Sequence, residues 1–145
     1  MTLVIRPVTR KDEADWRKLW RAYLDFYRTE RPDEVYAATW ARIHDPDEDM
    51  HSLVAIRDGA AVGLAQFLYH RSFWDIANRC YLNDLYVTPQ ARGTGTGRAL
   101  IEAVYADSDA RNAAAVYWLT AEDNYSGRRL YDRLAIRTPF IKYQR

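Results

Sequence analysis

One cysteine, Cys80, stands in 145 residues, so the chain can build neither an internal disulfide nor a thiolate metal cluster. Histidine is almost as scarce. His44, His51 and His70 share no i, i+4 spacing and no carboxylate set surrounds them, so no metal site is expected. No apolar run approaches the roughly 20 residues that cross a bilayer, and the opening Met1-Thr2-Leu3-Val4-Ile5-Arg6 lacks a basic segment followed by a long apolar one. An excess of charge of either sign is also missing. A formal net charge of +1 with 28% charged residues leaves no field that would hold nucleic acid or a membrane surface. The expectation is a single domain over residues 1–145, soluble and cytoplasmic, with no linker or repeat.

Glycine is limited to six residues, and three of them fall in Arg92-Gly93-Thr94-Gly95-Thr96-Gly97. That run follows the apolar stretch Leu82 to Val87 and precedes a helical pattern, Arg98 to Tyr105. A strand-to-helix turn without Cβ atoms can take φ > 0 and approach a ligand. Its free N–H groups and the positive end of the helix dipole then suit a pyrophosphate. Three ligand classes use such a turn. The nucleoside-triphosphate loop needs Lys-Ser/Thr after its last glycine, where this chain has Arg98-Ala99. The dinucleotide fingerprint needs a third glycine where Arg98 stands, and too little chain follows for a nucleotide-binding half. The third pattern, Arg/Gln-x-x-Gly-x-Gly/Ala, is satisfied by Arg92, Gly95 and Gly97.

Periodicity orders the rest. Leu3 to Pro7 reads as a strand, and Thr9-x-x-Asp12 as a capping box opening a helix whose one face carries Trp16, Leu19, Trp20, Tyr23, Leu24 and Tyr27. Pro32-Asp33 opens a second helix to about Ile43, and His44 to Asp49 is too acidic to be anything but loop. Asp58-Gly59, between the strands Ser52–Arg57 and Ala60–Tyr69, favours a type I′ hairpin. A loop from Arg71 to Asn78 then leads to a strand Cys80–Val87, the glycine turn and a helix from Gly97 to Ala106. A strand Val116–Thr120, a helix Ser126–Leu134 and a last short strand Phe140–Tyr143 follow.

The glycine turn resembles the acetyl-CoA loop of the GNAT superfamily of N-acetyltransferases. Leu85-Tyr86-Val87-Thr88-Pro89-Gln90-Ala91-Arg92-Gly93 is similar to the family's strand-then-loop signature, and Asn124 with Leu130-Tyr131-Asp132-Arg133-Leu134 to its late Asn…Leu-Tyr-x-x-Leu helix. The closing stretch resembles the small histone and polyamine acetyltransferases. The resemblance runs from about Leu3 to Tyr143. It implies an α/β GNAT fold: a mixed, mostly antiparallel sheet flanked by helices, with two parallel strands splaying to admit acetyl-CoA.

It also implies roles. Arg92, Gly93, Thr94, Gly95, Thr96, Gly97 and Arg98 would take the pyrophosphate, the backbone of Leu85, Tyr86 and Val87 the pantetheine arm, and Asn124 the pantetheine or the cap of its helix. Tyr131 would be the general acid, since a phenol stays protonated at neutral pH. Asp84 or Glu122, directly or through water, would be the base, Asn83 standing where relatives of this type often have a carboxylate. Ala135 replaces a common glycine, at a cost of about 1 kcal/mol if the backbone there is left-handed. Tyr23 and Tyr27 would line the acceptor pocket with Trp74 and Asp75, which can hold an ammonium by cation–π contact and charge. The acidic run Asp45 to Asp49 could attract a cationic acceptor. With no activating partner for Cys80, the expected function is direct transfer from acetyl-CoA to a small-molecule or peptide amine, and a homodimer through the aromatic C-terminal strand is expected. A non-catalytic acyl-CoA-binding module is the alternative.

Overall fold

The computed structural model describes residues 2–145. Five strands, β1 (Leu3–Pro7), β2 (Met50–Arg57), β3 (Ala60–His70), β4 (Arg79–Val87) and β5 (Ala115–Tyr117), form one sheet in that order. All neighbours are antiparallel except β4 and β5. The helices are α1 (Glu13–Phe26), α2 (Asp33–Ile43), α3 (Thr96–Ala110) and α4 (Tyr125–Leu134). None is long and apolar enough to cross a membrane.

Two cores lie on opposite faces of the sheet. Trp16, Leu19, Trp20 and Leu24 of α1 and Trp40 of α2 meet Val54, Leu64 and Tyr86 on one face. Trp16 lies 5.7 Å from Trp20 and 4.9 Å from Trp40 between ring centroids, so the aromatic stripe is core along most of its length. On the other face Leu100, Ile101 and Val104 of α3 pack on Ala65, Phe67, Cys80 and Leu82, with Leu130, Tyr131 and Leu134 of α4 along the edge.

Turn chemistry is realised where expected. Asp58 and Gly59 both have positive φ, 50° and 84°, as a type I′ turn requires. The Asp12 carboxylate accepts from the Thr9 N–H at 2.7 Å, and Arg6 grips it with donors at 2.7 and 3.0 Å. A short 3₁₀ turn, Arg10–Asp12, precedes α1.

Three expectations need correction. Residues 135–145 are exposed and contain no strand, so Phe140–Tyr143 is not β structure: it pairs with nothing, and a strand exists only through a partner's hydrogen bonds. The strand expected to run to Thr120 stops at Tyr117, because the chain there leaves β4. Ala135 has φ −151°, ordinary extended backbone, and carries no left-handed cost.

A bulge in β4 sets the geometry of the centre. Gln66 pairs with Asp84 and Phe67 with Leu82, leaving Asn83 as an extra residue. Side chains alternate along a strand, so one extra residue exchanges the faces. Cys80 and Leu82 point to the α3 core before it and Leu85 and Val87 after it, while Tyr86 joins the α1 core. Asp84 is thereby carried to the α1 face, where Trp20 reaches it.

Candidate active site

β4 and β5 pair only through Arg79, Cys80 and Tyr81, against Ala115, Val116 and Tyr117. Beyond Tyr81, β4 runs on without a neighbour on that side, and a groove of about 460 Å³ opens there. It is lined by Leu85, Tyr86 and Val87 of β4, by Arg92, Gly93, Gly95, Gly97 and Arg98 of the turn and the start of α3, by Asn124 and Tyr131, and by Tyr27 at the end of α1. Sequence reasoning missed Phe26, Arg129 and Arg133 on its walls. The i, i+4 spacing of Arg129 and Arg133 on α4 was the signal available for two of them.

The turn is built as its residue types demand. Gly93 and Gly95 have φ +74° and +87°, and no heavy atom lies within 4 Å of where either Cβ would stand. The backbone N–H groups of Gly93 to Arg98 have no acceptor among the described residues, so they are free donors at the head of α3. Thr94 and Thr96 serve the turn from behind. Thr94 Oγ1 donates to the Ala91 carbonyl, and Arg57 donates to the Thr94 carbonyl at 3.2 Å and to Thr96 Oγ1 at 3.1 Å. Arg92 donates from Nε to the Val87 carbonyl at 3.0 Å, with its guanidinium 5.6 Å from the Phe26 ring centroid and 5.7 Å from that of Tyr86. Arg98 is exposed and pairs with Glu102 at 2.8 Å. Gly97 allows α3 to approach its neighbours, since a Cβ there would sit 3.2 Å from Leu130 Cδ2.

Asn124 caps α4: its Oδ1 accepts from the Gly127 N–H at 3.3 Å while its Nδ2 donates to Thr120 Oγ1 at 3.0 Å. Tyr131 is half-buried, 5.4 Å from Trp118 between ring centroids. Burial, reinforced by the neighbouring Tyr27 phenol, pushes its hydroxyl up to about 12.

Asp84 is tightly held. Its Oδ2 accepts from Trp20 Nε1 at 3.1 Å and from Gln66 Nε2 at 2.8 Å, and its Oδ1 from Asn83 Nδ2 at 2.7 Å; Gln66 accepts in turn from Trp16 at 2.7 Å. Tyr23 donates to the Asn83 carbonyl at 3.4 Å, and burial together with the Asp84 charge raises its phenol well above the ordinary range.

Glu122 does not join this constellation. It is exposed in the loop after β5, and only its carbonyl is engaged, by Arg128 at 2.6 Å. Asp75 pairs with Arg79 at 2.7 Å, and Trp74 is largely exposed with that guanidinium 5.8 Å from its ring centroid. Both lie in the loop that precedes β4. In the acidic run, Asp49 is taken by His51 and Arg111. Cys80 is fully buried, and burial pushes its thiol up, away from a reactive thiolate.

The model of the acetyltransferase (GNAT) family matches residues 16–135, and the chain belongs to that family. The D-amino-acid N-acetyltransferase HPA3 of Saccharomyces cerevisiae is 39% identical over 145 residues, 99% of this chain and 90% of that protein. YhfO of Bacillus subtilis, an uncharacterized N-acetyltransferase, is 27% identical over 96% of this chain and 94% of its own. In fold the chain is similar to AAC(6')-Iy solved with the bisubstrate analog CoA-S-monomethyl-acetylneamine, with a TM-score of 0.87 at 22% identity and coverage of 100% and 98%. The protein is an acetyl-CoA-dependent N-acetyltransferase.

Proposed function

We propose that the protein transfers the acetyl group directly to the primary amine of a small acceptor, with both substrates bound at once and an amino acid as the first acceptor class. The unpaired edge of β4 opening on a groove that Tyr131 also lines carries this reading. Acetyl-CoA supplies an activated acetyl carbon and a sulfur leaving group. The residues present fit it: free N–H groups from Gly93 to Arg98 suit a pyrophosphate, and the vacant strand edge at Leu85 to Val87 suits a pantetheine amide. Arg92, Arg98, Arg129 and Arg133 add positive charge along the groove. An N–H of the Leu85 to Val87 segment is the oxyanion donor in this reading.

Tyr131 keeps a proton at Oη for the departing sulfur, and its raised pKa keeps that proton in place through neutral and mildly alkaline pH. Asp84, fixed by three donors, presents a negative charge on the acceptor side and orients an ammonium or a water molecule. Neither carboxylate lines the groove itself, but Asp84 directly precedes Leu85 on β4, whereas Glu122 is exposed in the loop after β5 and is the weaker of the two proposed bases. Tyr27 lines the groove from α1 and Tyr23 reaches the Asn83 carbonyl beside Asp84, so these two wall the acceptor side in this reading, whereas Trp74 and Asp75 sit against Arg79 at the start of β4. The amino-acid acceptor is favoured by the activity named for the yeast relative. A screen of coenzyme A release over D- and L-amino acids, polyamines, peptides and aminoglycosides tests it: turnover with amino acids is expected. Release with polyamines alone moves the acceptor class, and tight acetyl-CoA binding with no release marks a non-catalytic module.

The exposed side chains of Ile136, Phe140, Ile141 and Tyr143 support a homodimer in which the C-terminal segment packs against a second copy.

A further inference from the structure

A primary amine is protonated at neutral pH, and its ammonium must lose a proton before the nitrogen can attack a carbonyl carbon. Asp84 has both oxygens committed to side-chain donors, and Glu122 is exposed outside the groove. On the same face of the sheet as Asp84 lie two residues that no motif singles out. Tyr81 and Tyr117 form the last β4–β5 pair, at the point where the strands part, and their rings stack with centroids 4.9 Å apart. Val116 and Trp118 pack on the α3 core, so Tyr117 between them points to the opposite face, which the bulge also gives to Asp84.

The Tyr117 hydroxyl lies 2.7 Å from Nε2 of His70, and His70 Nδ1 lies 2.7 Å from the Arg71 carbonyl. A carbonyl can only accept, so Nδ1 carries the proton and the Nε2 lone pair faces the phenol, which donates to it. Half-buried at the end of β3, the imidazole has one side to solvent.

Resting on the direct-transfer reading, we propose that Tyr117 and His70 form the exit route for the proton of the acceptor amine. The ammonium N–H bond breaks and its proton passes through water to Tyr117 Oη, which stands where the strands part, outside the groove lining itself. The phenol proton moves to His70 Nε2, and the imidazolium then gives that Nε2 proton to a solvent water as the Tyr117 hydroxyl turns aside, which restores the Nδ1–H tautomer. The phenol is regenerated, the amine keeps its electron pair, and nothing is oxidised or reduced. The other titratable and charged groups around the pair are Arg79, the buried Cys80 and Tyr81 of β4, with Arg71 and Asp75 from the loop between β3 and β4. Arg79 pairs across the strands with His70 in the register and is bound to Asp75 at 2.7 Å. Burial pushes the Tyr117 phenol up, and the positive charge of Arg79 opposes that effect.

The test compares Tyr117→Phe and His70→Gln with the unmodified protein on the best amine of the acceptor screen, measuring kcat/KM against pH. Protonated His70 cannot accept, so the unmodified enzyme should lose activity on the acid side. Each variant should lose roughly tenfold at neutral pH, less than direct proton transfer because water can still take the proton. Each should also lose that acid limb, and the double variant should be no worse than either single one. A second readout is independent of turnover: ¹⁵N NMR of the free protein should show the Nδ1–H tautomer of His70, with an Nε2 resonance that moves in Tyr117→Phe as its hydrogen bond is lost. An Nε2–H tautomer, or an acid limb unchanged in both variants, overturns the route alone. A protein that acetylates no amine in the panel overturns the direct-transfer reading and the route with it.

Discussion

Tyr131 combines two properties that its position in α4 alone would not supply. Its ring packs on Trp118, and the residue lines the groove with its phenol pKa raised to about 12. Tyr131→Phe keeps the packing and removes the hydroxyl proposed as the proton donor. Turnover is therefore expected to fall by roughly 10²-fold in kcat and kcat/KM alike, with acetyl-CoA affinity unchanged by calorimetry. Because the folded phenol stays protonated, ionisation of Tyr131 should produce no alkaline loss of rate below about pH 10. Retention of full turnover, with chemistry shown to limit the rate, makes it a packing residue. Gly95→Glu places a side chain and a negative charge among free N–H donors that suit a phosphate. Acetyl-CoA binding should be lost while the fold survives at a cost on the order of 1 kcal/mol for the positive φ. Unchanged affinity in a folded variant would put the coenzyme elsewhere.

At the scale of elements, two junctions hold the site in place. The first is the entry to α1, where Asp12 ties the helix start to Arg6 at the end of β1. Arg6 and the Thr9 N–H hold its carboxyl far below the ordinary carboxylate range. The sign follows from linkage: a depressed folded pKa contributes stability that is complete above the unfolded value of about 4 and is lost as pH falls through the folded one. Asp12→Ala should cost about 1.5–3 kcal/mol at neutral pH, and its urea midpoint should fall less than that of the unmodified protein between pH 5 and pH 2. The second junction is Gly63, where an added Cβ would stand 2.9 Å from the Tyr86 carbonyl and 3.1 Å from Leu100 Cδ1. Gly63→Ala should lower stability by about 1–3 kcal/mol through overpacking and shift β4 at the groove, raising the KM for acetyl-CoA. A melting temperature and KM equal to those of the parent would show that the sheet absorbs the methyl.

For the whole molecule the open question is the C-terminal segment. Four large apolar side chains there are exposed, Ile136 and Tyr143 each at 89%. A chain ending at Ala135 is expected to be monomeric by light scattering at tens of micromolar, where the full chain is dimeric. A full chain that is monomeric under those conditions removes the dimer. The expected strand over Phe140–Tyr143 failed for a reason of scale: alternating apolar residues state a preference, and only a partner edge turns it into a strand.

The succession of strands and helices was legible in the chain because its signals are local. Glycines at positive φ, the Asp58-Gly59 turn, the capping Asn124 and the i, i+4 apolar stripes each act within one turn of backbone. That the glycine turn and Tyr131 belong to one groove was legible for the same reason, each being a short motif on a single element. Tertiary structure decided what depends on two elements at once. The extra residue at Asn83 appears only in the register of β3 against β4, yet it turns Asp84 towards Trp20 and Gln66. The place where β5 leaves β4 made the groove, and the meeting of His70 with Tyr117 joins residues 47 positions apart. Such contacts follow from how strands align and where they part, and no spacing along a single chain encodes that directly.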